Sequence, residues 1–318
     1  MSVVFLLTNA DRHTQRIGGL TALERRLREL ARDGVTRAVV AASPIELGRA
    51  LPIEVEFVAP GTPAPQGVRV ERADVIAGIE LVDEQARRAA EWALIRGMNK
   101  SFEGPIDALI NWRFSMRITR VLAARSLALT PNHVTIAAIV VGLCAAAAAA
   151  RGAFALGGVL MQINSILDSC DGELARLRFQ YSKLGQWLDN IADDIVDNAF
   201  PIAIGYALGG VWLPLALAAA GARIACAIGI YVSTYRRTRS GDVFAFRWWF
   251  ERDKQTADEV FDPRSPLTWL RALGRRDTFV FIWMLACVGR LPHVVVGHAL
   301  AIATVYSVLW IVQLVRQT

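Results

Sequence analysis

Two long stretches of this chain, most of 133–235 and 277–315, carry almost no charge, whereas residues 1–129 are punctuated by Arg, Glu and Asp throughout. An apolar helix of about twenty residues is long enough to cross the hydrocarbon of a bilayer. Six such segments can be drawn, at about 133–150, 153–175, 186–207, 210–235, 277–291 and 293–315, the fifth being short. With 318 residues, 54% of them hydrophobic, and a mean hydropathy of +0.35, a wholly soluble protein is excluded. The expected architecture is a mostly α membrane protein. A small α/β N-terminal domain spans 1–100, an interfacial amphipathic helix and linker 101–129, and six transmembrane helices 130–318.

The net charge of +6 does not point to nucleic acid, because the Lys and Arg residues flank apolar runs as cytoplasmic loops do. Arg117, Arg120, Arg125, Arg176, Arg178, Lys183, Arg236, Arg237, Arg239, Arg275, Arg276 and Arg316 fall on one side of the drawn spans, and only Arg151 and Arg290 on the other. That bias places both termini in the cytoplasm, in a protein of the cell inner membrane. The N-terminus has no basic region and too short an apolar run for a signal peptide, so the head stays cytoplasmic. Cys144, Cys170, Cys226 and Cys287 lie in apolar segments without paired or metal-ligand spacing and read as buried free thiols.

In the head, strand candidates at Val3–Leu7, Ala38–Ala42 and Ile53–Val58 alternate with a helix from Thr21 to about Arg32 and a short helical stretch at Ile45–Ala50. After the turn-rich Pro60–Pro65, Val68–Ile79 looks extended and Glu80–Arg96 helical. Gly18-Gly19-Leu20, Glu24-Arg25, Leu27-Arg28-Glu29-Leu30 and Asp33-Gly34-Val35 resemble the opening of sugar-phosphate nucleotidyltransferases. Where that family has a Gly-rich basic loop, this chain has Thr8-Asn9-Ala10-Asp11-Arg12, without the glycine that lets backbone amides approach phosphate. The head therefore reads as a shortened, inactive relative. Gly104–Arg125 sets Ile106, Leu109, Ile110, Phe114, Ile118, Val121 and Leu122 against Arg113, Arg117, Arg120 and Arg125, a pattern suited to the membrane interface.

Between the second and third spans, Asp168 and Asp171 are three residues apart and Asp189 and Asp193 four apart, so each pair shares a helix face. A hairpin turning near Phe179–Lys183 brings the pairs together at the cytoplasmic membrane edge. Four unpaired acids there would repel one another unless cations neutralise them. Their hard oxygens, with no His or Cys placed to contribute a soft ligand, favour two ions of Mg2+ or Mn2+. Asp194, Asp197 and Glu173 fall outside the spacing and read as helix caps or partners of Arg176, Arg178 and Lys183.

Asp168, Asp171, Gly172, Ala175, Arg176, Gly185, Asp189 and Asp193 stand at the spacing Asp-x2-Asp-Gly-x2-Ala-Arg-x8-Gly-x3-Asp-x3-Asp. On these residues the stretch from about 105 to 318 closely resembles the CDP-alcohol phosphotransferases. The resemblance implies a six-helix fold, a homodimer, and displacement of CMP from a CDP-linked donor by the hydroxyl of an acceptor alcohol. It makes Asp168, Asp171 and Asp189 metal ligands, and Asp193 both the general base and a further contact to metal. Gly172, Ala175 and Gly185 leave room for cytidine or for close helix packing. Arg176 contacts the donor phosphate or anchors a helix end. Thr130 and Asn132, flanking Pro131, resemble the segment beside the nucleotide, and serve equally as a helix start.

The head, Asn111–Ser115 with Ile118–Arg120, and Arg275-Arg276-Asp277 look most like the inositol-phosphate branch, the di-myo-inositol phosphate phosphate synthases. CDP-inositol and CDP-diacylglycerol are the candidate donors, inositol phosphate the candidate acceptor, and membrane lipid the surroundings. Arg236, Arg237 and Arg276 are candidates for an acceptor phosphate, or are positive flanks. Arg223, near mid-span, is a further candidate and should face the cavity or an acid such as Asp197. The aromatics of Gly241–Phe250 suggest seating at the interface. The alternative class, an ion-coupled transporter, predicts acids scattered near mid-bilayer and repeated halves, and neither pattern is found.

Overall fold

A computed structural model of the chain describes residues 3–48, 50–98, 104–125, 129–238, 248–249 and 272–317. It divides into two compact units. The first comprises Met1–Asn99, Ile118–Leu129 and Glu173–Gln180, the second Lys100–Arg117, Thr130–Gly172 and Tyr181–Thr318.

The first unit is built on a parallel sheet in the order β5-β4-β1-β6, with β1 at Val3–Leu7, β4 at Arg37–Ala41, β5 at Glu54–Val58 and β6 at Arg69–Arg72. Parallel strands are covered on their faces, and Val4, Leu6, Ala38 and Val40 are accordingly buried. The helix α1 (Ala22–Arg32) packs Leu23, Leu27 and Leu30 into the same core. Thr21 starts it by accepting a hydrogen bond from the Glu24 amide at 3.1 Å. Between β2 (Arg16–Ile17) and β3 (Leu20–Thr21) lies a two-residue hairpin whose Gly18 and Gly19 have φ of 57° and 89°, the geometry such a turn requires. A second hairpin, β7 (Val75–Ile76) to β8 (Ile79–Glu80), delays α2 (Glu84–Gly97), whose N-cap is Asp83. The helix expected over Ile45–Ala50 is absent: its described residues have no regular secondary structure. Pro44 and Gly48 frame a run too short to meet the cost of helix nucleation.

One helix runs from 105 to 125, a π-helical turn at Asp107–Asn111 leading into α3 (Trp112–Arg125). Its buried side chains recur every four residues, Asn111, Ser115, Thr119 and Ala123, while Leu109, Phe114 and Val121 are exposed. Ile106 at the helix start is buried as well, and Ile110, Ile118 and Leu122 are half-buried, so the inward face combines this small, polar stripe with apolar side chains.

The second unit is helical: α4 (Pro131–Ala150), α5 (Phe154–Arg178, whose last turns belong to the first unit), α6 (Lys183–Leu208), α7 (Trp212–Thr238), α8 (Arg276–Val288) and α9 (His293–Gln317). Three are long and apolar enough to cross a membrane, Pro131–Ala150, Trp212–Arg236 and His293–Arg316. The α5 and α6 helices carry the acids, and α8, drawn as 277–291, is a 13-residue helix. Small residues let the helices close on one another, as is common between membrane helices. A Cβ at Gly142 would sit 2.5 Å from Val196, and one at Gly229 2.5 Å from Trp310. Phe200, Phe279 and Trp283 stack at the centre of the core. Exposed apolar stripes remain: Ile136, Val140 and Leu143 on α4, Ile224 and Ile228 on α7, Val305, Val308 and Ile311 on α9. Cys144 is exposed, a correction to the expectation of four buried thiols; the other three are buried. An all-apolar helix does not reveal by composition which side faces out.

Candidate active site

The i, i+3 and i, i+4 spacing of the acids places them on facing stripes of α5 and α6. Carboxylate oxygens of Asp168, Asp171 and Asp189 all lie within 4.8 Å of one another. Asp171 is buried and accepts a hydrogen bond from Thr135 of α4, a residue the sequence reading did not single out. Three carboxylates this close repel unless a cation joins them. Oxygen-only donors suit a hard divalent ion, so these residues could hold magnesium or manganese.

Asp193 stands apart from that trio. It pairs with Arg276 of α8 at 2.9 Å, and the same guanidinium reaches Asp168 at 2.8 Å, Asp197 at 3.3 Å and the Asn164 side-chain oxygen at 2.8 Å. Arg276 therefore serves as the internal counter-charge of the two acidic stripes. Asn164 and Asp197 extend those stripes by one turn, four residues before Asp168 and four after Asp193; that spacing was the available signal. Asn164 also donates to the Ala138 carbonyl at 2.8 Å, tying α5 to α4.

Pro201, inside α6, has no N–H to offer the carbonyl four residues earlier, that of Asp197. Arg223 of α7 takes the place of that donor. Its guanidinium approaches the Asp197 carbonyl at 3.3 Å and the Asp197 carboxylate at 3.6 Å, and lies over the Phe279 ring. Asp194 accepts from the Tyr231 hydroxyl at 3.2 Å, and Glu173 from Thr119 at 2.6 Å. Arg223 thus meets Asp197 as its mid-span position suggested, whereas Asp194 and Glu173 have partners other than Arg176, Arg178 and Lys183, because those partners come from helices distant in sequence.

Gly172 follows Asp171 directly. Gly185 is held against the start of its own helix: a Cβ there would lie 2.9 Å from the Ser182 hydroxyl and 3.1 Å from Asn132. Thr130 is the N-cap residue of α4, its amide donating to the His133 ring at 3.1 Å. Ala175 and Arg176 belong to the first unit, and Nε of Arg176 is buried without a hydrogen-bond partner among the described residues. Arg236 is exposed near the end of α7; the side chain of Arg237 lies outside the described residues. Of the aromatic loop segment only Trp248 and Trp249 are described. Trp249 lies under Arg316 at 3.9 Å and donates its amide to Gln313.

Against known proteins, the profile of the CDP-alcohol phosphatidyltransferases matches residues 128–312. The chain belongs to this family. Within it, the chain is 36% identical over 129 residues to the bifunctional IPC transferase and DIPP synthase of Aquifex aeolicus, covering 41% of this chain and 28% of that protein. It is 31% identical over 205 residues to the protein of the same name from Thermococcus kodakarensis, covering 64% and 41%. The archaetidylinositol phosphate synthase of Pyrococcus horikoshii is 34% identical over 126 residues, covering 39% and 61%. The chain thus spans well under half the length of the two bifunctional relatives.

Proposed function

We propose that this phosphatidyltransferase is an integral membrane enzyme that transfers a substituted phosphate from a CDP-linked donor to an acceptor alcohol and releases CMP. The observation that carries this reading is the trio Asp168, Asp171 and Asp189, whose oxygens from two helices converge within 4.8 Å. Two bound Mg2+ or Mn2+ ions would neutralise the donor pyrophosphate and ease departure of CMP. Asp193 takes the proton of the acceptor hydroxyl as its oxygen bonds to the donor's distal phosphorus and the P–O bond to CMP breaks. Gly172, Ala175 and Gly185 admit cytidine, with Thr130 and Asn132 beside it, and Arg176 holds donor phosphate. Arg276 and Arg223, both paired with acids here, and Arg236 and Arg237 are the candidate cations for an acceptor phosphate. The name of the archaetidylinositol phosphate synthase among the relatives favours inositol phosphate as acceptor, and CDP-inositol and CDP-diacylglycerol are the candidate donors.

In this reading α4 to α9 make six spans, the helix at 105–125 rests in the interface on Leu109, Phe114 and Val121, and the termini and active site face the cytoplasm of a homodimer in the inner membrane. The head does not make nucleotides. Arg12, the one base in its loop, is paired with Glu80 at 2.8 Å.

The test is CMP release by the purified full chain with magnesium, using CDP-inositol or CDP-diacylglycerol as donor and inositol, inositol phosphate, glycerol phosphate or serine as acceptor. CMP release dependent on one donor–acceptor pair is expected; none from any pair overturns the assignment. Incubation with CTP and inositol phosphate should release no pyrophosphate above background, and release would restore the head as an enzyme.

A further inference from the structure

We infer that the first unit is a positioning element of the transferase, in which Arg25 fixes the carbonyl end of the helix carrying Asp168, Asp171 and Arg176. The inference rests on the transferase reading above. The last turns of α5, Glu173–Arg178, belong to the first unit, and two buried guanidiniums meet there, Arg25 and Arg178, each 1% exposed. Arg25 donates to the Leu177 carbonyl at 2.8 Å and the Ile17 carbonyl at 3.1 Å, and lies over the Phe179 ring. Arg178 donates to the carbonyls of Leu122 (3.3 Å) and Ala123 (3.0 Å) at the end of α3, and of Leu129 (2.6 Å) just before α4. Each cation thus sits where a helix terminus presents unpaired carbonyls and the negative end of its dipole.

The β2–β3 turn completes the joint. A Cβ on Gly18 would lie 2.8 Å from the Leu177 side chain, and one on Gly19 2.9 Å from Nε of Arg178. Glu91 of α2 accepts from the Gly18 amide at 3.2 Å and from Arg120 at 3.0 Å, so the turn is held from its other side. These glycines carry the likeness to nucleotidyltransferases, yet here they close on protein. Burial pushes the Arg25 guanidinium down to about 10, which leaves it cationic at neutral pH. Buried charge of this kind is a poor way to add stability compared with apolar packing. What a planar guanidinium adds is direction, since its fork donates to carbonyls only along fixed directions. Asp171 and Asp168 lie about one and a half to two and a half turns upstream of Leu177 on one unbroken helix, so the rotation of that end sets where the acids point.

The experiment uses the full-length chain in lipid nanodiscs, as wild type, Arg25→Ala, Arg25→Lys and Gly19→Ala. Two readouts are taken: steady-state CMP release with donor and acceptor varied separately, and amide exchange over 173–180. A hydrogen bond to a charged group is worth about 1.5–3 kcal/mol, so Arg25→Ala should speed exchange at 173–178 and lower kcat/KM for the CDP-linked donor by about tenfold or more. KM for the acceptor should stay as in wild type. Methylguanidinium should restore part of the Arg25→Ala activity, and Arg25→Lys and Gly19→Ala should fall between. If Arg25→Ala does not fold, Arg25→Lys carries the test with a smaller loss in the same donor-specific direction. Wild-type donor kinetics in the folding Arg25 variants, or a loss in kcat alone matched by loss of folded protein, overturns the inference. If the wild type releases no CMP from any donor, the transferase reading fails, and exchange at 173–178 still decides whether Arg25 fixes the helix end.

Discussion

Both units bury charge, and they satisfy it in opposite ways. In the first unit Arg25 and Arg178 are met by backbone carbonyls, and Glu91 by Arg120 and an amide, so the partners of those charges come from the protein itself. In the second, Arg276 answers Asp168, Asp193 and Asp197, but Asp168, Asp171 and Asp189 also face one another within 4.8 Å. The first arrangement draws its partners from within the protein. On the proposed reading the second would take cations from outside, and that difference would separate a joint from a reaction centre.

The largest loss is expected at the trio. Asp171→Asn or Asp189→Asn should cost CMP release more than the roughly 10- to 100-fold lost with a metal's outer partners, and chelation should do the same. The protein should remain folded, because removing one of three like charges relieves repulsion. Full activity of either variant in metal-free buffer would show that the trio is not a metal centre.

A second, smaller effect separates Asp193 from the trio. Asp193→Asn should lower turnover by about a hundredfold or more, the contribution of a general base. Calorimetric binding of the CDP-linked donor in saturating magnesium should be nearly unchanged. Donor binding lost in step with turnover would move Asp193 into the ligand set.

Much of this centre was legible because helical spacing is geometric. Asp168 and Asp171, or Asp189 and Asp193, can only share a face, and Thr21 before Leu23, Leu27 and Leu30 can only begin an amphipathic helix. In the sequence Arg276 reads as a candidate for an acceptor phosphate or as a positive flank, and its position among the acids depends on α8 packing beside α5 and α6, which no local pattern encodes. The helix at 105–125 holds a second pattern beside the outward apolar one that its sequence offers. Its apolar residues were the conspicuous pattern, while Asn111, Ser115, Thr119 and Ala123, at a spacing of four, form the stripe that packs inward. In a membrane setting apolar residues have somewhere else to go, so hydrophobicity alone stops indicating the inside.

Arg276→Gln sharpens the comparison from the stability side. It leaves Asp193 and Asp197 without their shared cation; losing one partner of a fully buried pair costs about 3–5 kcal/mol, and partial exposure here brings the expectation to about 2. Thermal unfolding in detergent should report it, and Arg276→Lys should recover part. An unchanged midpoint would mean the acids are neutralised by other means.

The smallest effect is expected at the surface of the first unit. Hydrogen bonds from Arg87 and Arg88 hold the Glu84 carboxyl down at about 2, below its usual 4.5. A depressed carboxyl stabilises the fold above its unfolded value, and that contribution fades as pH falls from about 4.5 through 2. Comparing acid unfolding of wild type with Glu84→Gln should show a shallower pH dependence for the variant within that window only. A difference that persists at pH 7 without change down to pH 2 would place its origin elsewhere.

Gly142 has no chemistry to offer, yet its missing side chain lets α4 rest against Val196 and Asn164, the latter bonded to Arg276. A saturation scan scored by growth would therefore rank this position beside the aspartates. The map of intolerant sites would be wider than the map of reacting atoms, and Gly142 would be a false positive in any search for catalytic residues made by mutational sensitivity alone.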